Sequence, residues 1–364
     1  MDKQMDRPMD KINVLMCCSD LSYKGGMVSV VKGYLGYKGW PDDINITFVP
    51  THREAGKAGL LVYFARAVAR IVWLCARGKV DVAHLHVAER GSFMRKGFLV
   101  RLLYRFGIPV ALHHHGAEFE DYYEKSSPEA RRRIDSVLAE ADVNLVLSRR
   151  LVLMILSKAP EARVEVLYNA VGVPETNPYS TSSRGVLFLG RLGERKGTYV
   201  LLDAIRRLDP ELPPDITFAL CGDGETDLVA EKVGEMGLGH RISHIGWTDG
   251  PEKERFMAGA MMNVLPSFNE GLPMTILETM ARGIPNISTP VASIPEVIHE
   301  GETGLLVPPG DAEALAEAIR RLATDPGLRQ KISRESHALV CKDFDIHGRV
   351  AALTALYRRL ARKS

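Results

Sequence analysis

Arg191 and Lys196 stand five residues apart in the stretch GRLGERKG, directly after the apolar run GVLFL. A guanidinium can hold two phosphate oxygens in a fork, and a lysine ammonium is a mobile point charge. The pair therefore suits a diphosphate and the charge that develops on it as it leaves. From these two residues alone an exposed basic loop would read the same way. A second stretch, FNEGLPMTILETMARG, holds Glu270 and Glu278 eight residues apart. Pro273 preorganises a first helical turn, and Gly283 with Pro285 stops the helix, so a helix is predicted from about Met274. Ile276, Leu277 and Met280 occupy its apolar positions, which leaves Glu278 as a carboxylate in need of a partner. Free N–H groups around Gly271 and Leu272 can receive phosphate or sugar oxygens, and carboxylates accept hydrogen bonds from hydroxyls. Glu278 lies about one and a half turns into the helix, within reach of a ribose. The plainer alternatives are a helix-dipole role for Glu270 and an ion pair of Glu278 with Arg282 at i+4.

These residues need a scaffold that brings loops to one edge. INVLMCC, DVAHLHV, IPVALHHHG and VNLVLS are buried-strand patterns separated by helical stretches, and the plan restarts with GVLFLG, ITFALCG, MNVLP, IPNIS and TGLLVPP. Alternating strands and helices predict parallel sheets with crossover helices, so the fold class is α/β with two doubly wound, Rossmann-like domains. NAVGVPETNPYSTSSRG reads as a linker. It sets an N-terminal domain at 1–168 and a C-terminal domain at 169–345, with a final helix at about 346–364 free to pack on either. Strand C-terminal ends of two such domains are expected to face one central cleft. On those ends, Gly25 and Gly26 let a ligand approach the backbone at a helix start, and Gly222 and Gly224 make another tight turn. No GxGxxG follows the first strand, which weakens a nicotinamide-dinucleotide reading.

Bulk properties agree with a folded two-domain protein: 364 residues, 46% hydrophobic and 25% charged. A net charge of +2 points to no nucleic acid partner. Five scattered cysteines without a CxxC pair fit reduced thiols and a cytoplasmic setting. The polar opening MDKQMDRPMDK and the short apolar run after it do not read as an export signal. GLLVYFARAVARIVWLCARGK is interrupted by Arg66 and Arg70 and is not expected to span a membrane. With Arg77, Lys79, Arg95, Lys96, Arg101 and Arg105 these arginines can form a basic amphipathic face for anionic lipid, or simply a solvated one.

GRLGERKG followed some eighty residues later by NEGLPMTILE closely resembles retaining glycosyltransferases of family 4, which have the GT-B fold. KGGMVSVVKG looks like the family's glycine loop near donor and acceptor, and ALHHHGAEF like its strand ending in His-Gly. The resemblance implies that Arg191 and Lys196 bind the donor diphosphate, with Gly25, Gly26, Gly271 and Leu272 beside it. It implies that Glu278, near Gly222 and Gly224, takes the ribose. Glu270, with Gly271, Leu272 and Pro273, would contact the transferred sugar, and His115 would approach that sugar as a catalytic partner of Glu270. The chain departs from the family at TPVASIPEVI, where Ala292 and Ser293 stand in place of a frequent Gly-Gly pair. A weaker likeness is to members that build surface polysaccharides.

By this reading the donor is a nucleotide-diphosphate sugar, UDP-linked or GDP-mannose, and the acceptor a saccharide or lipid-linked saccharide. The protein would work in the cytoplasm, touching the inner face of the membrane peripherally. No cofactor and no essential divalent metal are expected, because two cations already face the leaving group. His84, His86 and His113 to His115 are better read as core or cleft residues than as metal ligands, since consecutive strand residues point to opposite faces. The Asp-Phe-Asp at 343–345 is better read as a helix start than as a metal motif. Retention by front-face substitution is preferred to a covalent intermediate, because Glu270 alone is placed as a nucleophile. A sugar-nucleotide 2-epimerase and a non-catalytic nucleotide-sugar-binding subunit remain the alternatives.

Overall fold

The structure is a computed structural model that describes residues 11–362. The polar opening segment read above, apart from its last residue, lies outside the described residues. The chain divides into two compact units, residues 1–169 with 346–364, and residues 170–345.

In the N-terminal unit the strands are β1 (Ile12–Cys18), β2 (Ile44–Pro50), β3 (Val82–Val87), β4 (Val110–His114), β5 (Val143–Val146) and β6 (Val164–Val166). They form one sheet in the order β2-β1-β3-β4-β5-β6, and every pairing is parallel. Its helices are α1 (Gly26–Gly36), α2 (Lys57–Ala76), α3 (Gly91–Arg105), α4 (Phe119–Glu124), α5 (Pro128–Glu140) and α6 (Arg149–Lys158). Leu15, Cys17, Leu85, Leu112 and Val146 turn one sheet face into a core closed by Ile71, Leu99, Leu103 and Ile134 from the helices.

The C-terminal unit repeats the plan with β7 (Gly185–Leu189), β8 (Thr217–Cys221), β9 (Ile242–Gly246), β10 (Ala260–Leu265), β11 (Asn286–Ser288) and β12 (Leu305–Leu306). Their order is β12-β11-β10-β7-β8-β9, again all parallel. The helices are α7 (Thr198–Leu208), α8 (Thr226–Glu235), α9 (Gly250–Ala258), α10 (Met274–Ala281), α11 (Ala312–Thr324) and α12 (Pro326–Asp343). A last helix, α13 (Ile346–Ala361), belongs to the N-terminal unit. There the Tyr357 hydroxyl meets His84 Nδ1 at 2.6 Å, and Arg358 forks onto Asp43 with both distances 2.8 Å.

One sequence expectation needs correction. The Asn- and Ser-rich segment read as a linker is fastened to the C-terminal unit. Asn177 Nδ2 donates to Ser333 Oγ at 3.0 Å, and the Tyr179 hydroxyl donates to the Met261 carbonyl at 2.8 Å. α2, not expected to span a membrane, is by length and composition long and apolar enough to do so. Its position answers the question better than its composition. α2 is the crossover from β2 to β3, and Ala67, Ile71 and Leu74 are buried in the core. A helix joining two strands of one parallel sheet packs along that sheet. Its outer face leaves Leu61, Val62 and Trp73 exposed.

Candidate functional site

The residues that resemble a donor site gather on the loops that leave the C-terminal ends of β7, β8 and β10. The loop after β7 is tied to the loop after β8. Gly190 N–H donates to the Cys221 carbonyl at 3.0 Å, and Leu192 N–H donates to the Asp223 carbonyl at 2.6 Å. Gly222 and Gly224 make this approach feasible. A Cβ at Gly222 would lie 1.8 Å from the Gly190 carbonyl oxygen, and one at Gly224, where φ is +108°, would lie 2.3 Å from that of Leu192. The absence of a Cβ at these glycines lets the two loops approach and so holds the backbone that carries Arg191. Arg191 itself is exposed.

Beyond Arg191 the chain makes a 3-10 turn, Glu194–Lys196, and enters α7 through Gly197 at φ +72°. A Cβ on Gly197 would meet the Pro266 carbonyl oxygen at 2.1 Å, and Phe268 N–H donates to the Arg195 carbonyl at 2.9 Å. The loops after β7 and β10 are thereby pressed together, which joins Lys196 to Glu270. Lys196 Nζ and Ser267 Oγ both donate to Glu270 Oε1, the latter at 2.7 Å. The Glu270 side chain is 5% exposed and that of Lys196 15%. Burial lowers the lysine pKa and the Glu270 charge works against that, with burial the larger influence. The two were read as separate contacts to diphosphate and sugar; they form one ion pair at the same edge.

Helix α10 begins at Met274 as expected, but Pro273 occupies the position before it, with ψ 124°, rather than the first helical turn. Its preset φ of −66° serves there equally well. Leu272 is buried, and the Gly271 carbonyl accepts from Ser293 N–H at 3.4 Å. That contact brings in the loop after β11, where Thr289 Oγ1 also donates to the Ser267 carbonyl at 2.5 Å. Ala292 in this loop has φ +48°, a left-handed conformation that glycine adopts without a Cβ penalty. The frequent glycine of similar chains thus has a conformational reason.

The expected i+4 partner of Glu278 is displaced. Arg282 forks onto Glu254 at 2.7 and 2.8 Å, and Glu278 Oε2 instead accepts from Lys253 Nζ of α9 at 2.6 Å. Lys253 was missed because it belongs to another helix, 25 residues back, where helical periodicity says nothing.

His115, Gly25 and Gly26 lie in the N-terminal unit. Gly25, at φ +155°, stands at the start of α1, which Gly26 opens. His115 follows β4, is partly exposed, and its Nε2 meets His86 Nδ1 at 2.9 Å. His84 Nε2 meets His113 Nδ1 at 3.1 Å, while His114 turns to the opposite face and bonds Asn144 Oδ1 at 3.0 Å. Burial holds all five imidazoles below their ordinary range, with His114 at about 4 and His115 at about 3. His84, His86 and His113 offer ring nitrogens within 4.8 Å of one another. The planes of His84 and His86 are only 23° apart at a centroid distance of 4.3 Å, and those of His84 and His113 17° apart at 5.3 Å. The His84 and His86 rings overlap face to face, and a hydrogen bond links His84 to His113.

Residues 183–325 match the family model described as "Glycosyl transferases group 1". Over 179 residues the chain is 34% identical to the lipopolysaccharide core biosynthesis glycosyltransferase LpsE of Rhizobium meliloti (strain 1021), covering 49% of this chain and 50% of that relative. The chain thus spans about half the length of this curated relative. In structure it is similar to a sucrose-phosphate synthase from Thermosynechococcus elongatus, with a TM-score of 0.78, 20% identity, and coverage of 97% of this chain and 100% of that one. It is also similar to HepE of Anabaena in complex with UDP and glucose, with a TM-score of 0.72, 17% identity, and coverage of 95% and 99%. At these identities the structural likeness bears on the fold. Residues 183–325 are a glycosyl transferase group 1 domain, set in a chain with the GT-B-like α/β fold.

Proposed function

We propose that this chain is a retaining glycosyltransferase that moves a hexose-type sugar from a nucleotide-diphosphate sugar to a saccharide or lipid-linked saccharide. The observation that carries the reading is the joining of three loops at one sheet edge, which bear the exposed Arg191, the Lys196–Glu270 pair and the start of α10. An exposed guanidinium and a helix N-terminus are complementary to a diphosphate. Glu278 lies on α10 and trades its contact with Lys253 for ribose hydroxyls when a nucleotide binds. UDP is the favoured nucleotide, with GDP-mannose second. HepE, a structural neighbour, binds UDP and glucose.

In the transfer step the bond from the anomeric carbon to the diphosphate oxygen breaks as the acceptor oxygen bonds to the same face of that carbon. The acceptor proton passes to the departing diphosphate, whose growing charge Arg191 and Lys196 offset. Glu270 orients the sugar and forms no covalent intermediate with it. No metal is needed for charge neutralisation. The exposed face of α2, with Leu61, Val62 and Trp73 among Arg66, Arg70, Arg77 and Lys79, suits peripheral contact with an anionic cytoplasmic membrane surface.

The testing experiment is a thermal-shift panel of nucleoside diphosphates and their sugars. A ligand that binds only the folded state raises the melting temperature. A response to UDP or GDP and its sugar, followed by transfer to an added saccharide with the anomeric configuration kept, is the expected result. A glycosyl adduct trapped on Glu270 would overturn the front-face step.

A further inference from the structure

The N-terminal unit buries a cation that the proposed donor site does not use. Lys96, on α3, is 1% exposed, and its Nζ donates to Thr51 Oγ1 at 2.5 Å. Thr51 is also buried, and its hydroxyl proton is committed to the Cys18 carbonyl at 3.0 Å. An ammonium has three donors, and one hydroxyl satisfies one of them. No ion pair joins Lys96 to a carboxylate among the described residues. Its titratable neighbours include Cys17, Cys18 and Arg95. Burial raises the Cys17 thiol to about 12 and the Cys18 thiol to about 11, so both are neutral near pH 7 and neither is a counter-ion. Burial lowers the lysine to about 8, which still leaves it mostly charged at pH 7.

The surroundings add positive charge. Arg95 precedes Lys96 on α3, and its Nε is buried without a hydrogen-bond partner. His52 follows Thr51, and its pKa is lowered by burial first and then by the charges of Arg95 and Lys96, with Glu54 acting weakly the other way. Tyr23, just before the Gly25-Gly26 turn, packs edge-on against His52 with ring centroids 5.9 Å apart. Cys18 ends β1 and Thr51 directly follows β2, so the cluster sits at the C-terminal sheet edge, where open parallel sheets receive ligands. His52 and Arg95 are partly exposed and give access to it. An uncompensated buried charge is costly, and an arriving anion removes that cost.

We propose that Thr51, His52, Arg95 and Lys96 form a binding site for an anionic oxygen group, a phosphate or a carboxylate, carried by the acceptor substrate. Lys96 supplies its remaining N–H donors, and Arg95 supplies a guanidinium fork. The word acceptor rests on the proposed glycosyl transfer; the anion site itself does not.

The test uses the full chain carrying Arg191→Ala, so that phosphate binding at the donor loop does not contribute. It is titrated calorimetrically with glucose, glucose 6-phosphate and glucuronate. At least one charged sugar is expected to bind tighter than glucose by about tenfold or more, and the two charged sugars tell phosphate from carboxylate. Lys96→Met is expected to abolish the difference and Lys96→Arg to keep part of it. Arg95→Gln and His52→Gln, at partly exposed positions, are expected to weaken it and serve if Lys96→Met does not fold. Equal binding of all three sugars, or an anion preference that survives these substitutions, would overturn the proposal. Nucleoside diphosphate binding to the otherwise unaltered chain is measured separately, and its failure would count against the donor reading alone.

Discussion

Lys196 and Glu270 are 74 residues apart in the chain, yet they form an ion pair at the C-terminal edge of the second sheet that is almost out of water. The lysine charge is already partly engaged by this carboxylate, whereas Arg191 is exposed. Removing one partner of such a pair leaves a buried charge uncompensated and costs roughly 3 kcal/mol. Lys196→Met and Glu270→Gln should each lower the urea unfolding midpoint. The double variant should recover much of the loss, and a double-mutant cycle with no coupling would refute the pairing.

Arg191 is exposed, and in the proposed donor site it serves the ligand rather than the fold. Arg191→Ala should alter stability by no more than about 0.5 kcal/mol while abolishing the thermal shift given by nucleoside diphosphates. An unchanged shift would remove the diphosphate from this loop.

The Glu278–Lys253 contact separates a structural role from a binding one. Both side chains keep about a quarter of their exposure, so the pair contributes at most about 1 kcal/mol to stability. Glu278→Ala should weaken nucleotide binding about tenfold through lost charged hydrogen bonds, whereas Lys253→Ala should leave it unchanged or tighter. Equal weakening by both would make the carboxylate a structural partner of Lys253 and nothing more.

Ala292→Gly should stabilise the protein. A Cβ at φ +48° costs about 1 kcal/mol, and glycine's greater freedom in the unfolded chain returns part of that gain. The net expectation is a melting temperature higher by about 1–2 °C. A lower value would show that the loop does not hold this conformation in solution.

The five imidazoles at β3 and β4 predict the acid limb of stability. Their folded pKa values lie below the ordinary 6.5, so the unfolded chain binds more protons in acid. Their contribution is complete above about pH 6.5 and is lost as pH falls through the range toward 4, where His114 titrates, and 3, where His115 does. Each contributes a slope of up to about 1.4 kcal/mol per pH unit. Chemical denaturation at pH 7.5, 6 and 5 should show this fall, and His114→Asn should make it shallower. A flat profile would mean that the rings are not buried neutral.

The sequence by itself determined the alternation of strand and helix, the start of α10 and the loops that bear Arg191, Lys196 and Glu270. Those signals are local: an apolar run, a proline before a helix, a glycine after one. β2, β6 and β9 were not read from it. All three are edge strands, which bury less surface and so lack a continuous apolar run. Only the tertiary structure decided which charges meet. Glu278 finds Lys253 rather than Arg282, Glu270 finds Lys196, and Lys96 on α3 lies beside Thr51 after β2 with no carboxylate to match it among the described residues. Pairing depends on how parallel strands place distant loops side by side, and that ordering is set by packing across the sheet rather than by spacing along the chain.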